Sequence, residues 1–115
     1  MRYKIIIDSC GELLDEWKKD ERFESVPLTL MVGAEQIIDD ETFDQAEFID
    51  KVAACPECPK SACPSPERYM RAYDCEAEHI YAVTLSSELS GSYNSALLGR
   101  DLIMEDHPDK KIHVF

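Results

Sequence analysis

The stretch "HIYAVTLSSELSGSYNSA", His79 to Ala96, decides the architecture of this chain. It opens with a short, nearly unbroken apolar run, the pattern of a buried strand. The run breaks into a polar turn where Ser86, Ser87, Ser90 and Ser92 surround Gly91. Tyr93, Ala96, Leu97 and Ile103 then supply the apolar positions of a helix. A strand that feeds a helix through a tight polar turn is the first half of a βαβ unit. "KKIHVF", Lys110 to Phe115, begins the next strand and completes the unit.

The same alternation extends upstream. "YKIII", Tyr3 to Ile7, reads as a buried strand that stops at Asp8-Ser9. Leu13, Leu14 and Trp17 share one helical face, with Ser9 as a candidate N-cap and Glu12 completing a capping box. "SVPLTLMV", Ser25 to Val32, reads as one strand, with Pro27 at its start or on an edge. Gly33-Ala34 turns the chain, and "QIID" suits a short extra strand. Asp44 with Glu47 marks the next helix start, whose face is Phe48, Ile49 and Val52. Ser65-Pro66 is an N-cap and N1 pair for a further helix, carrying Tyr69, Met70 and Tyr73. The expected fold class is α/β: a mostly parallel sheet with helices on both faces. Residues 1–115 make one domain, and a chain that stops on a strand points to the first part of a longer protein.

Composition narrows the function. Twelve basic against 24 acidic residues give a net charge of −12. Such a field repels nucleic acid and anionic membrane surfaces. No apolar run reaches the ~20 residues of a membrane span, and the apolar start stops at Asp8, short of a signal sequence. The expected compartment is the cytoplasm, where the five cysteines are free thiols by default. No nucleotide-binding glycine motif is present, and Asp39-Asp40-Glu41 reads as a solvated acidic turn.

In open parallel sheets, ligands bind outside the carboxyl ends of the strands. Three loops of this chain should meet there: Asp8 to Gly11, the loop before Ser65-Pro66, and Ser86 to Ser92. Each leads into a helix start, which offers free N–H groups and about +0.5 of a charge. Serine hydroxyls and helix starts suit a carboxylate or phosphate without any metal. Singly, each serine is explained as a cap; the cluster around Gly91 exceeds what one cap requires. A different reading starts from "CPECPKSACPSP", Cys55 to Pro66. Cys55 and Cys58 have chelate spacing, and Cys63 and Cys75 complete a four-cysteine set for a small zinc or thiol module. A third reading is an acidic protein-interaction domain.

The motifs resemble a known family. "VTLSSELSGSYNSA" and "PKSACPSPERY" are similar to the two serine-bearing motifs of the DegV family of fatty-acid-binding proteins. "IIIDSCGEL" resembles that family's opening strand, "VPLTL" its second and "DKKIHVF" its next. The resemblance covers essentially the whole chain and implies the N-terminal α/β domain of a two-domain fold. It implies non-covalent binding of a long-chain fatty acid, with the tail held between two domains. Such proteins are not enzymes and use no cofactor; some present the carboxylate to a partner fatty acid kinase. By position, the head-group residues fall on Ser61, where threonine is usual, and on Ser90 and Gly91, with Asp8, Ser9, Ser65 and Ser87 in support. Ala62 and Cys63 replace more polar family residues, and Cys10 stands where threonine is common.

Overall fold

A computed structural model describes residues 2–115. Four strands form a parallel sheet in the order β2-β1-β6-β7: β1 (Tyr3–Asp8), β2 (Phe23–Val26), β6 (His79–Val83) and β7 (Lys111–Val114). A separate antiparallel sheet has the order β4-β3-β5, from β3 (Thr29–Val32), β4 (Glu35–Ile38) and β5 (Lys60–Ala62). The helices are α1 (Asp15–Lys18), α2 (Gln45–Ala54), α3 (Pro66–Tyr73) and α4 (Ser92–Asp106). The α/β class and the parallel sheet therefore stand.

Strand periodicity sets which face is buried. Along β1, Lys4, Ile6 and Asp8 are buried, while Tyr3, Ile5 and Ile7 are half-buried. Ile80 and Ala82 of β6 and Val114 of β7 extend the buried face. Tyr69, Ala72 and Tyr73 of α3 and Ala96 and Ile103 of α4 cover it. The two helices approach closely at Gly99, where a Cβ would lie 2.7 Å from the Pro66 carbonyl oxygen and 2.9 Å from the Tyr69 Cβ. The opposite face carries α1 at the β2 edge, where Trp17 stacks on Phe23 at 5.0 Å. Tyr81, Val83 and Phe115 on that face stay exposed.

Capping chemistry holds at two of three predicted helix starts. The Asp44 side chain accepts from the Glu47 N–H, and the Ser65 hydroxyl accepts from the Arg68 N–H, with Pro66 following. The third differs. Ser9 caps no helix: its Oγ accepts from the Leu28 N–H across the loop at 2.9 Å. The first helix is only four residues long and starts after Leu14, without a side-chain cap. That same bond explains a second difference. "SVPLTLMV" is not one strand but two, β2 and β3, divided at Pro27-Leu28 and placed in different sheets. Pro27 has no N–H for a ladder, and the Leu28 N–H is taken by Ser9.

Within the small sheet, Gly33 adopts φ 60° in a two-residue hairpin loop between Val32 and Glu35, the residue pattern of a II′ turn. The molecule is elongated, 49 × 29 × 21 Å, with a Cα radius of gyration of 15.3 Å. A compact chain of this length has a radius near ~13 Å. The small sheet and α2, which buries no residue, lie outside the main core.

Candidate ligand site at the strand ends

Asp8 ends β1 and is 1% exposed. Its Oδ1 accepts from the Cys10 N–H at 3.1 Å and its Oδ2 from the Leu85 N–H at 2.6 Å. One buried carboxylate thus ties the loop after β1 to the loop after β6. Ser9 adds the link to Leu28. Asp8 and Ser9 are framework groups that hold three loop ends together.

The third element arrives through β5, a strand not foreseen in the cysteine-proline segment. It pairs antiparallel with β3, Ser61 opposite Leu30. Lys60, Ser61 and Ala62 are all exposed, so the strand is held by its ladder and not by burial. Beyond it, buried Pro64 and the Ser65 cap turn the chain into α3. The loop before α3 meets the loop before α4 at Gly91, where a Cβ would lie 3.1 Å from the Cys63 sulfur. The Cys63 sulfur also lies 3.7 Å from Ser95 Oγ.

These loops enclose an open pocket of ≈ 490 Å³. Ser61 lines it together with Ser90 and Gly91, which lie 29 and 30 positions further along the sequence. Leu28, Leu30, Leu85 and Leu89 give it an apolar side. Gly91, which lines the pocket, immediately precedes the 15-residue helix α4 and has no side chain to cap it. Ser90 Oγ accepts from the Ser92 N–H at 3.2 Å and contacts Ser92 Oγ at 3.3 Å. Among the described residues no lysine or arginine lines the pocket, but Asp39 does. Asp39 is therefore part of the site and not only of a solvated acidic turn. The Cys10 thiol, also lining the pocket, is pushed up by burial and by the Asp8 and Asp39 carboxylates. It stays a protonated, weakly polar wall group.

Not every predicted residue reaches the pocket. Ser65 is the α3 cap and Ser87 is exposed; neither lines the cavity. Sequence reasoning missed Asp39, the four leucines and the wall role of Cys10 and Cys63. The alternating leucines of "PLTL" carried a signal, since Leu28 and Leu30 lie two apart on an extended segment. The four-cysteine set does not assemble. Cys63 faces Ser95, whereas the Cys55 sulfur lies beside Gly33. Among the described residues, no three His, Cys, Asp or Glu side chains gather to hold a metal ion. No helix there is long and apolar enough to cross a membrane.

The fold and pocket define an α/β domain whose strand-end loops enclose an open pocket lined by serine hydroxyls and leucines together. The chain belongs to the DegV family; the family model, described as an uncharacterised protein of that family, matches residues 2–115. A DegV domain-containing protein of Streptococcus pneumoniae is 43% identical over 99% of this chain and 41% of its own length. A DegV family protein from Ruminococcus gnavus, solved with vaccenic acid, is 53% identical with a TM-score of 0.95, covering 100% of this chain and 41% of that one. The Streptococcus pneumoniae fatty acid kinase B3 protein, loaded with linoleic acid, is 42% identical with a TM-score of 0.88, again over 100% of this chain and 41% of the other. The chain thus spans about two-fifths of the length of these relatives.

Proposed function

We propose that this chain holds the carboxylate of a long-chain fatty acid. The observation that carries the reading is the meeting of Ser61 with Ser90 and Gly91 in one pocket, in a family whose solved members carry fatty acids. The hydroxyls of Ser61 and Ser90 donate to the carboxylate, and the Gly91 N–H and the start of α4 assist. Hydrogen bonds to a charged group contribute about 1.5–3 kcal/mol each. With no cation in the wall, aimed dipoles do this work. The leucine side receives the first methylenes of the tail. Most affinity comes from the tail, at ~0.8 kcal/mol per buried methylene. The rest of the tail wall comes from a second domain in the longer relatives' pattern.

Binding is non-covalent and needs no cofactor. The exposed position of Ser61 and the open pocket suit presentation of the carboxylate to a partner fatty acid kinase, which supplies the phosphoryl-transfer chemistry. The test is native mass spectrometry of the purified protein before and after addition of oleate. A bound fatty acid is expected in wild type and a reduced fraction in Ser61→Ala and Ser90→Ala. A protein that remains lipid-free after addition sinks the reading.

A further inference from the structure

Tyr69 is fully buried on α3, and its hydroxyl is a buried polar atom with no hydrogen-bond partner among the described residues. Leaving such a group unpaired costs about 1–3 kcal/mol, so it calls for a purpose. Tyr73, one turn further on, shows the ordinary solution: its hydroxyl donates to the Ala96 carbonyl at 2.9 Å. The polar groups that act on the Tyr69 phenol are Asp8, Ser92, Cys63 and Cys10. Burial first, and then the Asp8 charge, push this phenol up, so it remains a proton donor throughout the physiological range. Ser92 is near enough to act on the phenol, yet the geometry falls short of a hydrogen bond.

Ser92 is itself fully buried and contacts Ser90 Oγ, which lines the pocket. Ser90 donates to Ser92 Oγ at 3.3 Å, inward from the pocket. To serve a carboxylate, Ser90 must turn that proton outward. A hydroxyl rotates freely, but the reversal leaves Ser92 to donate to Ser90 and in need of a donor behind it. The unpaired Tyr69 hydroxyl stands beside Ser92 to fill that role.

We propose that Tyr69, Ser92 and Ser90 form a hydroxyl relay that reverses on ligand binding, each donating to the next, with the carboxylate as final acceptor. This rests on the fatty-acid reading of the pocket. Tyr69 is then a positioning residue: it touches no ligand but sets the direction of the Ser90 hydroxyl. Hydrogen bonds in such a chain polarise and strengthen one another. The phenol, the strongest acid of the three, sits at the end that only donates. The relay favours an ionised carboxylate over a neutral ester of the same tail.

The test compares oleate with methyl oleate in wild type, Tyr69→Phe, Ser92→Ala, the double variant and Tyr73→Phe. Tyr69→Phe keeps the ring and removes only the unpaired hydroxyl, so its unliganded melting temperature should equal or exceed that of wild type. Its oleate affinity should fall roughly three- to tenfold while methyl oleate affinity is retained. Ser92→Ala should show the same selective loss, and adding Tyr69→Phe to it should cost nothing more. Tyr73→Phe should lower stability and leave the oleate preference intact. Equal oleate affinity in wild type and Tyr69→Phe overturns the relay alone. So does a loss shared by oleate and methyl oleate, which marks a structural effect. Additive losses in the double variant overturn it as well. A wild type that takes up no oleate removes the parent reading and the relay with it.

Discussion

Asp8 and Asp39 are two carboxylates with different roles: Asp8 is buried in the framework and Asp39 lines the pocket. Asp8 is locked by the Cys10 and Leu85 N–H groups, so its charge is spent on framework. Asp8→Asn presents an NH₂ where one oxygen accepted and leaves one loop N–H unpaired. It should cost about 1–3 kcal/mol of stability, read as a lower denaturant midpoint at unchanged slope. Asp39 lines the pocket and opposes an incoming carboxylate. Asp39→Asn should therefore tighten oleate binding about threefold at low salt, with the gain shrinking as salt screens the charge. A weaker complex would place Asp39 among the ligand's partners instead. Ser61→Ala and Ser90→Ala should each weaken oleate binding by about tenfold, measured by calorimetry. Single-residue roles were partly legible beforehand. The serine cluster around Gly91 stood out because it exceeds what one cap requires, whereas Ser61, Ser90 and Gly91 were assigned as head-group residues only through the family resemblance; the structure brings the three to one pocket. Ser9 misled because a serine before a helix pattern resembles a cap, and nothing local reveals that Leu28, nineteen residues on, takes its hydroxyl.

An ion-pair group around Glu24 and a close helix contact at Gly99 are among the links that join the elements. Glu24 on β2 accepts from buried Lys4 on β1 at 2.8 Å and from Arg68 on α3 at 3.0 Å. Burial alone raises the Glu24 pKa, but the two cations outweigh it and hold the carboxyl below its ordinary value. Its contribution is thus complete above the unfolded glutamate value near ~4.3 and is lost as the pH falls through the lower folded value. Thermal stability should fall across that acid window, and Glu24→Gln should flatten this part of the profile while costing about 3 kcal/mol at neutral pH. At the α3–α4 contact, Gly99→Ala forces a Cβ against the Pro66 carbonyl and the Tyr69 Cβ. Overpacking should cost about 1–3 kcal/mol, seen as a lower melting temperature. Strands β1, β6 and β7 and two helix caps were readable because burial period and cap chemistry are local. The division of "SVPLTLMV" and the existence of β5 were not. An exposed three-residue strand has no hydrophobic period, and its ladder partner is thirty residues away.

At the scale of the molecule, the covering of the parallel sheet is unequal. The α3–α4 face is closed, whereas Tyr81, Val83 and Phe115 remain exposed on the other. The charge balance of 12 basic to 24 acidic residues keeps such a chain dispersed by mutual repulsion. Raising the salt concentration should therefore promote self-association, detectable by light scattering, and Val83→Lys should suppress it. Alternation of strands and helices made the parallel sheet legible from the outset. The second sheet was hidden because its residues lie outside the main apolar core and its pairing is non-local.

The elongated shape has a consequence for cooperativity. Ser61 sits on the outlying sheet and Ser90 on the loop that crowns the main core. The two lobes should therefore behave as separate foldons: amides of β3 to β5 and α2 are expected to exchange with solvent well before those of β6 and α4. Under the proposed function, a carboxylate gripped from both sides should weld them. Loading then raises the opening free energy of the outlying lobe to that of the core, and two calorimetric transitions become one.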